Sequence, residues 1–247
     1  MHLSVIIPAK NEEKNIKNTV EDIFKYLTEK NISHEIIVVE NNSKDKTVEV
    51  VNSLLATIPT LSFVHLIIKV AKPSKGYAVK EGMLKAQGDY KLIMDADNAT
   101  NIRQIERMMP YFDQGYGVVI GSIALRGAKV ASGSEPVWRR IFGKMGNLFI
   151  QIMAVPGIFD TQRGFKIFLK KAADEIFSHT TIFGWGWDVE ALALARKYHY
   201  KIKEVPVDWK NDISNSKVGL DSYLQVLVET VKIRWNLMMG RYNNNIK

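Results

Sequence analysis

Tyr90-Lys91-Leu92-Ile93-Met94-Asp95-Ala96-Asp97-Asn98 is an apolar run closed by two carboxylates one residue apart. Side chains along a strand alternate between faces, so residues i and i+2 point the same way. If that geometry continues through the strand end, Asp95 and Asp97 share one side. Two converging carboxylates repel each other unless a cation sits between them. Hard oxygen ligands suit Mg²⁺ or Mn²⁺, ions that commonly hold substrate phosphates as well. In open α/β sheets ligands bind beyond the carboxyl ends of strands, where this pair falls. An Asp-x-Asp alone also describes an ordinary solvated turn, so its meaning rests on the segments around it.

Outward from this strand, apolar runs alternate with helical periodicity. Leu3–Ile7, Glu35–Val39, Phe63–Ile67 and Gly117–Ile120 read as further strands, short and apolar as buried parallel strands are. Helices are marked by Ile16, Val20, Ile23, Phe24 and Leu27, by Val48, Val50, Val51, Leu54 and Leu55, by Gly76–Ala86, and by Ile102, Ile105, Met108, Met109 and Phe112. The alternation predicts an α/β fold with a mostly parallel sheet flanked by helices. After Gly121 the pattern changes. Residues 122–136 form a polar segment too long for an ordinary connection. An apolar segment with a basic start follows (Trp138–Phe159), then a strand (Phe165–Leu169), a helix (Asp188–Tyr198), a strand (Lys201–Val207), a polar loop (211–219) and a final amphipathic helix (Leu220–Met239). With no repeat and no clear linker, one domain over residues 1–247 is expected.

Composition narrows the chemistry. The 247 residues are 46% apolar and contain no cysteine, so disulfides and thiolate chemistry are excluded. No apolar run approaches the roughly 18 residues that span a bilayer. The start, Met1-His2-Leu3-Ser4-Val5, reads as a strand rather than a secretory signal. A soluble or membrane-peripheral protein is expected. The net charge of +8 favours anionic partners, and Arg126, Lys129, Arg139, Arg140 and Lys144 face only Glu135 locally. The histidines show no metal-ligand spacing. There is no Walker A motif, dinucleotide fingerprint or nucleic-acid recognition motif, so nucleic acid is not an expected partner.

Three segments carry a resemblance. Ser4-Val-Ile-Ile-Pro8-Ala-Lys-Asn11-Glu12-Glu13, Ile37-Val-Val-Glu40-Asn41-Asn42-Ser43-Lys-Asp45-Lys-Thr47 and Asp95-Ala-Asp97 resemble, in content and spacing, the nucleotide-sugar site of family 2 glycosyltransferases with the GT-A fold. Asp160-Thr-Gln-Arg163-Gly164-Phe-Lys166, Trp185-Gly-Trp187-Asp188-Val-Glu190 and Val207-Asp-Trp209, followed by Ser216-Lys217, resemble the polyprenyl-phosphate sugar synthases, most closely the dolichyl-phosphate β-glucosyltransferase type. The resemblance covers essentially the whole chain. It implies a nucleotide-sugar-binding half over 1–121 and an acceptor-binding half over 122–247.

The resemblance implies a hexose, glucose from UDP-glucose, moved with inversion onto a polyprenyl phosphate, with Mg²⁺ or Mn²⁺ on Asp95 and Asp97. Pro8, Ala9, Asn11, Glu13, Glu40, Asn42, Lys75, Asp95, Ala96 and Asp97 would hold the nucleotide sugar. The chain departs from the family pattern at Glu40, Asn41 and Asn42, where Asp, Asp and Gly are usual. It departs again at Ala99, where some relatives carry a further ligand, and at Ile123, where relatives carry an Arg. Asn tolerates the left-handed conformation that Gly supplies, so the turn can survive. A lipid phosphate is largely ionised near pH 7 and needs cations rather than a general base. Arg126, Arg139, Arg140, Ser216 and Lys217 are the candidates for holding it, and Arg suits bidentate phosphate recognition.

A hydroxyl acceptor would instead need a carboxylate base, with Asp188, Glu190 or Asp160 available. Asp188 equally reads as a helix cap. The catalytic set is thus Asp97, Asp188, Arg139 and Arg140. GDP-mannose or another donor, a glycan hydroxyl acceptor, and a non-catalytic nucleotide-sugar or membrane-surface binding module remain alternatives. The segments Trp138–Ile158 and Leu220–Met239 carry aromatic, aliphatic and basic residues suited either to core packing or to a membrane interface. The expected location is the cytoplasmic face of a membrane.

Overall fold

The computed structural model describes residues 2–54, 58, 63–68, 74–130, 137–210 and 220–243. Among these, seven strands form one sheet: His2–Ala9 (β1), Ser33–Asn41 (β2), Phe63–Ile68 (β3), Tyr90–Met94 (β4), Val118–Ser122 (β5), Phe165–Leu169 (β6) and Ile202–Pro206 (β7). Their order is β3-β2-β1-β4-β6-β5-β7. Six run parallel. β6 alone is antiparallel, inserted between β4 and β5.

β1, β2, β4, β5 and β6 bury both of their faces along most of their length, as their apolar runs require. Ile6, Ile37, Val39, Ile93, Val118 and Phe168 pack on one side. Their neighbours Val5, Ile7, Ile36, Val38, Leu92, Val119 and Ile167 pack on the other. The second face is covered by α1 (Ile16–Glu29) and α2 (Thr47–Leu54). The first is covered by α3 (Lys75–Lys85), α6 (Val137–Met153), α7 (Lys170–His179), α8 (Trp187–Lys197) and α9 (Leu220–Met238).

The single helix expected from Ile102 to Phe112 is broken. A 3-10 turn at Ile102–Gln104 leads into α4 (Ile105–Met108), and α5 (Pro110–Asp113) follows. Pro110 sits at the first position of α5, where its missing N–H is harmless, but it cannot continue a helix from before. α7 is an element that the periodicity did not single out.

α6 and α9 pack against each other, and both leave apolar side chains in solvent. On α6 these are Met145, Leu148 and Ile152; on α9 they are Leu224, Val228, Val231, Trp235 and Met238. Ile150 on α6, and Val226 and Ile233 on α9, face the core instead. No helix among the described residues is long and apolar enough to cross a membrane.

Candidate active site

The strand order reverses direction between β1 and β4, the point at which an open α/β sheet leaves a crevice beyond its carboxyl ends. Three turns border that crevice, and each bends on an asparagine in the left-handed region: Asn11 after β1 (φ 55°), Asn42 after β2 (φ 54°) and Asn98 after β4 (φ 55°). Asparagine visits this region more readily than other residues with a side chain.

The first two turns are stitched together. Asn11 N–H donates to Ser43 Oγ at 3.0 Å, and Lys44 N–H to Asn11 Oδ1 at 2.7 Å. Glu12 N–H reaches Thr47 Oγ1 at 2.8 Å, and Lys46 N–H reaches Glu13 Oε2 at 2.9 Å. Asp45 accepts from Thr47 N–H at 3.0 Å and from Glu13 N–H at 3.2 Å. Pro8 and Ala9 close β1 directly behind this turn. Glu40 is 2% exposed, and its carboxylate accepts from Ser43 N–H, so it shapes the turn from beneath. Asn41 donates to the Ser74 carbonyl at 2.7 Å and ties β2 to the start of α3.

The third turn carries the paired carboxylates. Asp95 Oδ1 meets Lys75 Nζ at 2.7 Å. Ala96 is buried, and its carbonyl accepts from Thr19 Oγ1 at 2.7 Å. Asp97 Oδ1 accepts the Ala99 N–H at 3.0 Å. Asp97 reaches solvent, yet the protein around it and then the charge of Asp95 push its pKa up. Asp22 on α1 fixes the rest of this turn, accepting from Asn98, Asn101 and Arg103.

Because β6 is antiparallel, its beginning rather than its end lies at the crevice. Asp95 N–H donates to the Gly164 carbonyl at 3.1 Å. A side chain at Gly164 would start 2.0 Å from Asp95 Oδ2, so the Asp95 carboxylate lies where that side chain would be. Lys166 follows, wholly buried in the strand, with Nζ bonded to the Arg163 carbonyl, 3.7 Å from Asp188 and 5.5 Å over the Trp187 ring.

The start of α8 closes the far wall. Asp188 is 3% exposed. Burial raises its pKa to about 6 despite the nearby Lys166 and Lys75. Burial acts to lower the pKa of Lys75, but Asp95, Asp188 and Asp97 outweigh it and hold it above the ordinary value. For Lys166 burial wins, and its pKa is lowered against the pull of Asp188 and Asp160. The site is thus an alternating cluster of two lysines and three aspartates.

The loop before Asp188 is packed closely from both sides. A side chain at Gly76 would start 2.7 Å from Trp187 Cβ and 2.8 Å from the Phe183 carbonyl oxygen. On the opposite side Glu229 of α9 accepts the Gly186 N–H at 2.6 Å. A side chain at Gly184 would start 2.0 Å from Glu229 Oε1.

Other candidates fall differently. Glu190 accepts from Thr181 N–H and hydroxyl, Ile182 N–H and Tyr242 hydroxyl, and is fully buried. With its oxygens so engaged it supports the fold. Asp160 accepts Ile123 N–H at 2.9 Å and pairs with Arg163 at 3.2 Å. Arg126 is exposed in the turn after β5. Arg139 and Arg140 fall in the first turn of α6, and Ser216 and Lys217 lie outside the described residues. Arg163, Gly164, Lys166 and Glu229 were not singled out as site residues. A lysine inside Phe165-Lys166-Ile167-Phe168-Leu169 is the signal that was there to be read.

Asp95 and Asp97 fit a hard divalent cation as a two-carboxylate seat whose remaining positions go to water or ligand oxygens. Among the described residues no cluster of three or more His, Cys, Asp or Glu side chains offers a fuller protein cage. Burial and then the charge of Asp95 raise the pKa of Asp97, and a cation between the two carboxylates would relieve the second of these.

Known proteins match this arrangement. Dolichyl-phosphate beta-glucosyltransferase of Dictyostelium discoideum is 35% identical over 97% of this chain and 76% of its own length. The human protein of that name is 29% identical over 97% of this chain and 77% of its own. Glucosyl-3-phosphoglycerate synthase from Mycobacterium tuberculosis, solved with Mn²⁺, UDP-glucose and phosphoglyceric acid, superposes with a TM-score of 0.69 at 16% identity. That match covers 94% of this chain and 79% of the synthase, and bears out the GT-A-like fold. The Glycosyl transferase family 2 model matches residues 4–177, which include the three asparagine turns, the Asp95–Asp97 pair and the start of β6. This chain belongs to glycosyl transferase family 2 and is a glycosyltransferase.

Proposed function

We propose that the protein transfers glucose from UDP-glucose to a polyprenyl phosphate with inversion, using Mg²⁺ or Mn²⁺. The observation that carries this reading is the Asp95–Asp97 pair, laid against Gly164 and Lys75 at the crevice between β1 and β4. Relatives that share about a third of their residues with this chain are dolichyl-phosphate beta-glucosyltransferases. The turns at Pro8–Glu13 and Glu40–Asn42 form the nucleotide side of the crevice. A divalent cation on the two aspartates would supply Lewis-acid stabilisation of the departing diphosphate. Lys75 is placed to shift from Asp95 toward the diphosphate as negative charge builds there.

The attacking atom is an oxygen of the acceptor phosphate. It forms a bond to the anomeric carbon as the bond from that carbon to the diphosphate breaks. No proton has to be removed from a phosphate dianion, so Asp188 acts by holding Lys166 and Lys75 in place. One observation favours a second reading. A buried carboxylate with a pKa of about 6 also suits general-base work on a hydroxyl acceptor.

The exposed stripe on α6 and α9 fits the surface of the membrane that carries such a lipid. Exposed Lys232, Arg234 and Arg241 on and just after α9 suit anionic headgroups. The cytoplasmic face is the side on which nucleotide sugars would reach the site.

The test is a donor and acceptor screen with UDP- and GDP-sugars, Mg²⁺ or Mn²⁺, a short polyprenyl phosphate and glycan acceptors. A metal-dependent glucosyl lipid phosphate from UDP-glucose is expected. Transfer only to a hydroxyl, abolished by Asp188→Asn, would replace this reading with the second.

A further inference from the structure

Arg163 stands at the entry to β6, one residue before Gly164, whose carbonyl accepts the Asp95 N–H. Its Nε–H donates to Asp160 Oδ1 at 3.3 Å, and its guanidinium carbon lies 4.7 Å from the centre of the Trp209 ring. One edge and one face of the planar group are therefore fixed. Asp160 is itself held, since its N–H donates to Glu204 Oε1 at 2.9 Å and its Oδ2 accepts from Ile123 N–H. The terminal amino groups of Arg163 donate no hydrogen bond among the described residues, and the side chain keeps 23% of its surface in solvent. A guanidinium pre-oriented in this way presents a free two-pronged edge, the geometry that matches a phosphate.

Its neighbours make the placement specific. Ile123, in the turn where β5 ends, brings no charge to this side, and among the described residues Arg163 is the cation that pairs with the Asp160 carboxylate. Lys166 lies wholly buried beneath. Trp209 follows β7 and is tied by its N–H to the Lys129 carbonyl at 2.8 Å. The guanidinium thus sits where the turns after β5 and β7 meet the start of β6, on the residue before Gly164, whose backbone meets Asp95.

We propose that Arg163 is the acceptor-phosphate ligand of this enzyme, binding a phosphate monoester dianion with its terminal amino groups while Asp160 and Trp209 hold it in position. The assignment rests on the reading of the acceptor as a phosphate-bearing molecule. Asp160 balances the guanidinium while the site is empty, and the arriving dianion adds a second partner to the same fork. The ligand chemistry is shared by a lipid phosphate and a small soluble phosphate monoester.

The experiment measures equilibrium binding to the full chain in detergent micelles. The probes are a short polyprenyl phosphate, the matching polyprenol, 3-phosphoglycerate and inorganic phosphate. UDP affinity in Mn²⁺ and the melting temperature are followed in parallel. Wild type is expected to prefer the polyprenyl phosphate over the polyprenol at least tenfold. Arg163→Met should erase that preference and Arg163→Lys retain part of it, with UDP affinity and melting temperature within error of wild type. If 3-phosphoglycerate binds better than the lipid and Arg163→Met abolishes this, the phosphate assignment stands and the lipid reading falls. Unchanged phosphate preference in Arg163→Met would overturn the proposal. So would a parallel loss of UDP affinity and melting temperature, which would make Arg163 a support for the Asp160–Gly164 turn.

Discussion

Gly164→Ala separates the arrangement of the carboxylate seat from the stability of the fold. The added methyl would lie 2.0 to 2.3 Å from the carboxyl atoms of Asp95. Ordinary contact is about 3.5 Å, so the carboxylate must withdraw by more than 1 Å, roughly a change of rotamer. The obstacle is the end of a flexible, partly exposed side chain, and the backbone at Gly164 is not in the left-handed region. The fold should therefore lose little. Breaking the pair with Lys75, whose side chains are 29% and 34% exposed, costs about 1 kcal/mol, or a fall in Tm of roughly 2–4 °C at this size. The cation seat loses the orientation of one of two carboxylates. Loss of such orienting groups typically costs about 10–100-fold in metal affinity. Mn²⁺ binding in the presence of UDP, followed by electron paramagnetic resonance, reads this directly, with Tm from circular dichroism. Unchanged Mn²⁺ affinity would refute the assignment of Asp95 to the seat. A fall in Tm beyond about 10 °C would show that Gly164 serves the fold instead.

Gly76→Ala should behave in the opposite way. Its methyl meets the Phe183 carbonyl and Trp187 Cβ, which cannot rotate aside, so about 1–3 kcal/mol should be lost in urea unfolding; stability equal to wild type would contradict that contact. Asp97→Ala should remove metal-dependent turnover while leaving the circular dichroism spectrum intact, and retained turnover would contradict the metal seat. Asp188 holds its proton more tightly folded, at about 6, than at its ordinary value of 3.8. Native stability should therefore fall as pH rises between those values and level off above. Asp188→Asn should lack that slope when urea midpoints are compared across pH, and an identical slope would refute the assignment. Val228→Glu with Trp235→Glu, both on the exposed side of α9, should weaken sedimentation with anionic vesicles at unchanged Tm; undiminished sedimentation would count against an interfacial α9.

The inner strands were legible because both sheet faces are covered, and runs such as Val5–Ile7, Ile36–Val39 and Val118–Ile120 are therefore apolar without a break. Orientation was not. Nothing in Phe165–Leu169 tells whether it runs with or against its neighbours. α7 was legible in principle, with Ala172, Ala173, Ile176 and Phe177 at helical spacing, but it follows β6 without a turn. Pro110 marked the break that divided one expected helix into shorter pieces. At the site, Asp95, Asp97 and the asparagine turns could be read locally because each sits at the end of its own strand. Glu40 was expected among the nucleotide contacts, and the structure shows its carboxylate bonded within the turn. Arg163, Gly164 and Glu229 meet their partners across the fold, and spacing along the chain carries no trace of such contacts.

The antiparallel strand also bears on the order of folding. β5 precedes β6 in the chain, yet its neighbours are β6 on one edge and β7 on the other. As the polypeptide leaves the ribosome, β1 to β4 can assemble first. β5 must then wait until residues through Leu169 have been made before β6 can cover one edge, and until Pro206 before β7 can cover the other. Until β6 is made, β4 also presents an unpaired edge, the kind that recruits other chains. The nucleotide-side half is thus no self-sufficient unit. A fragment ending near residue 121 would expose both strands and should aggregate, and co-expression with the remainder of the chain is the remedy the topology dictates.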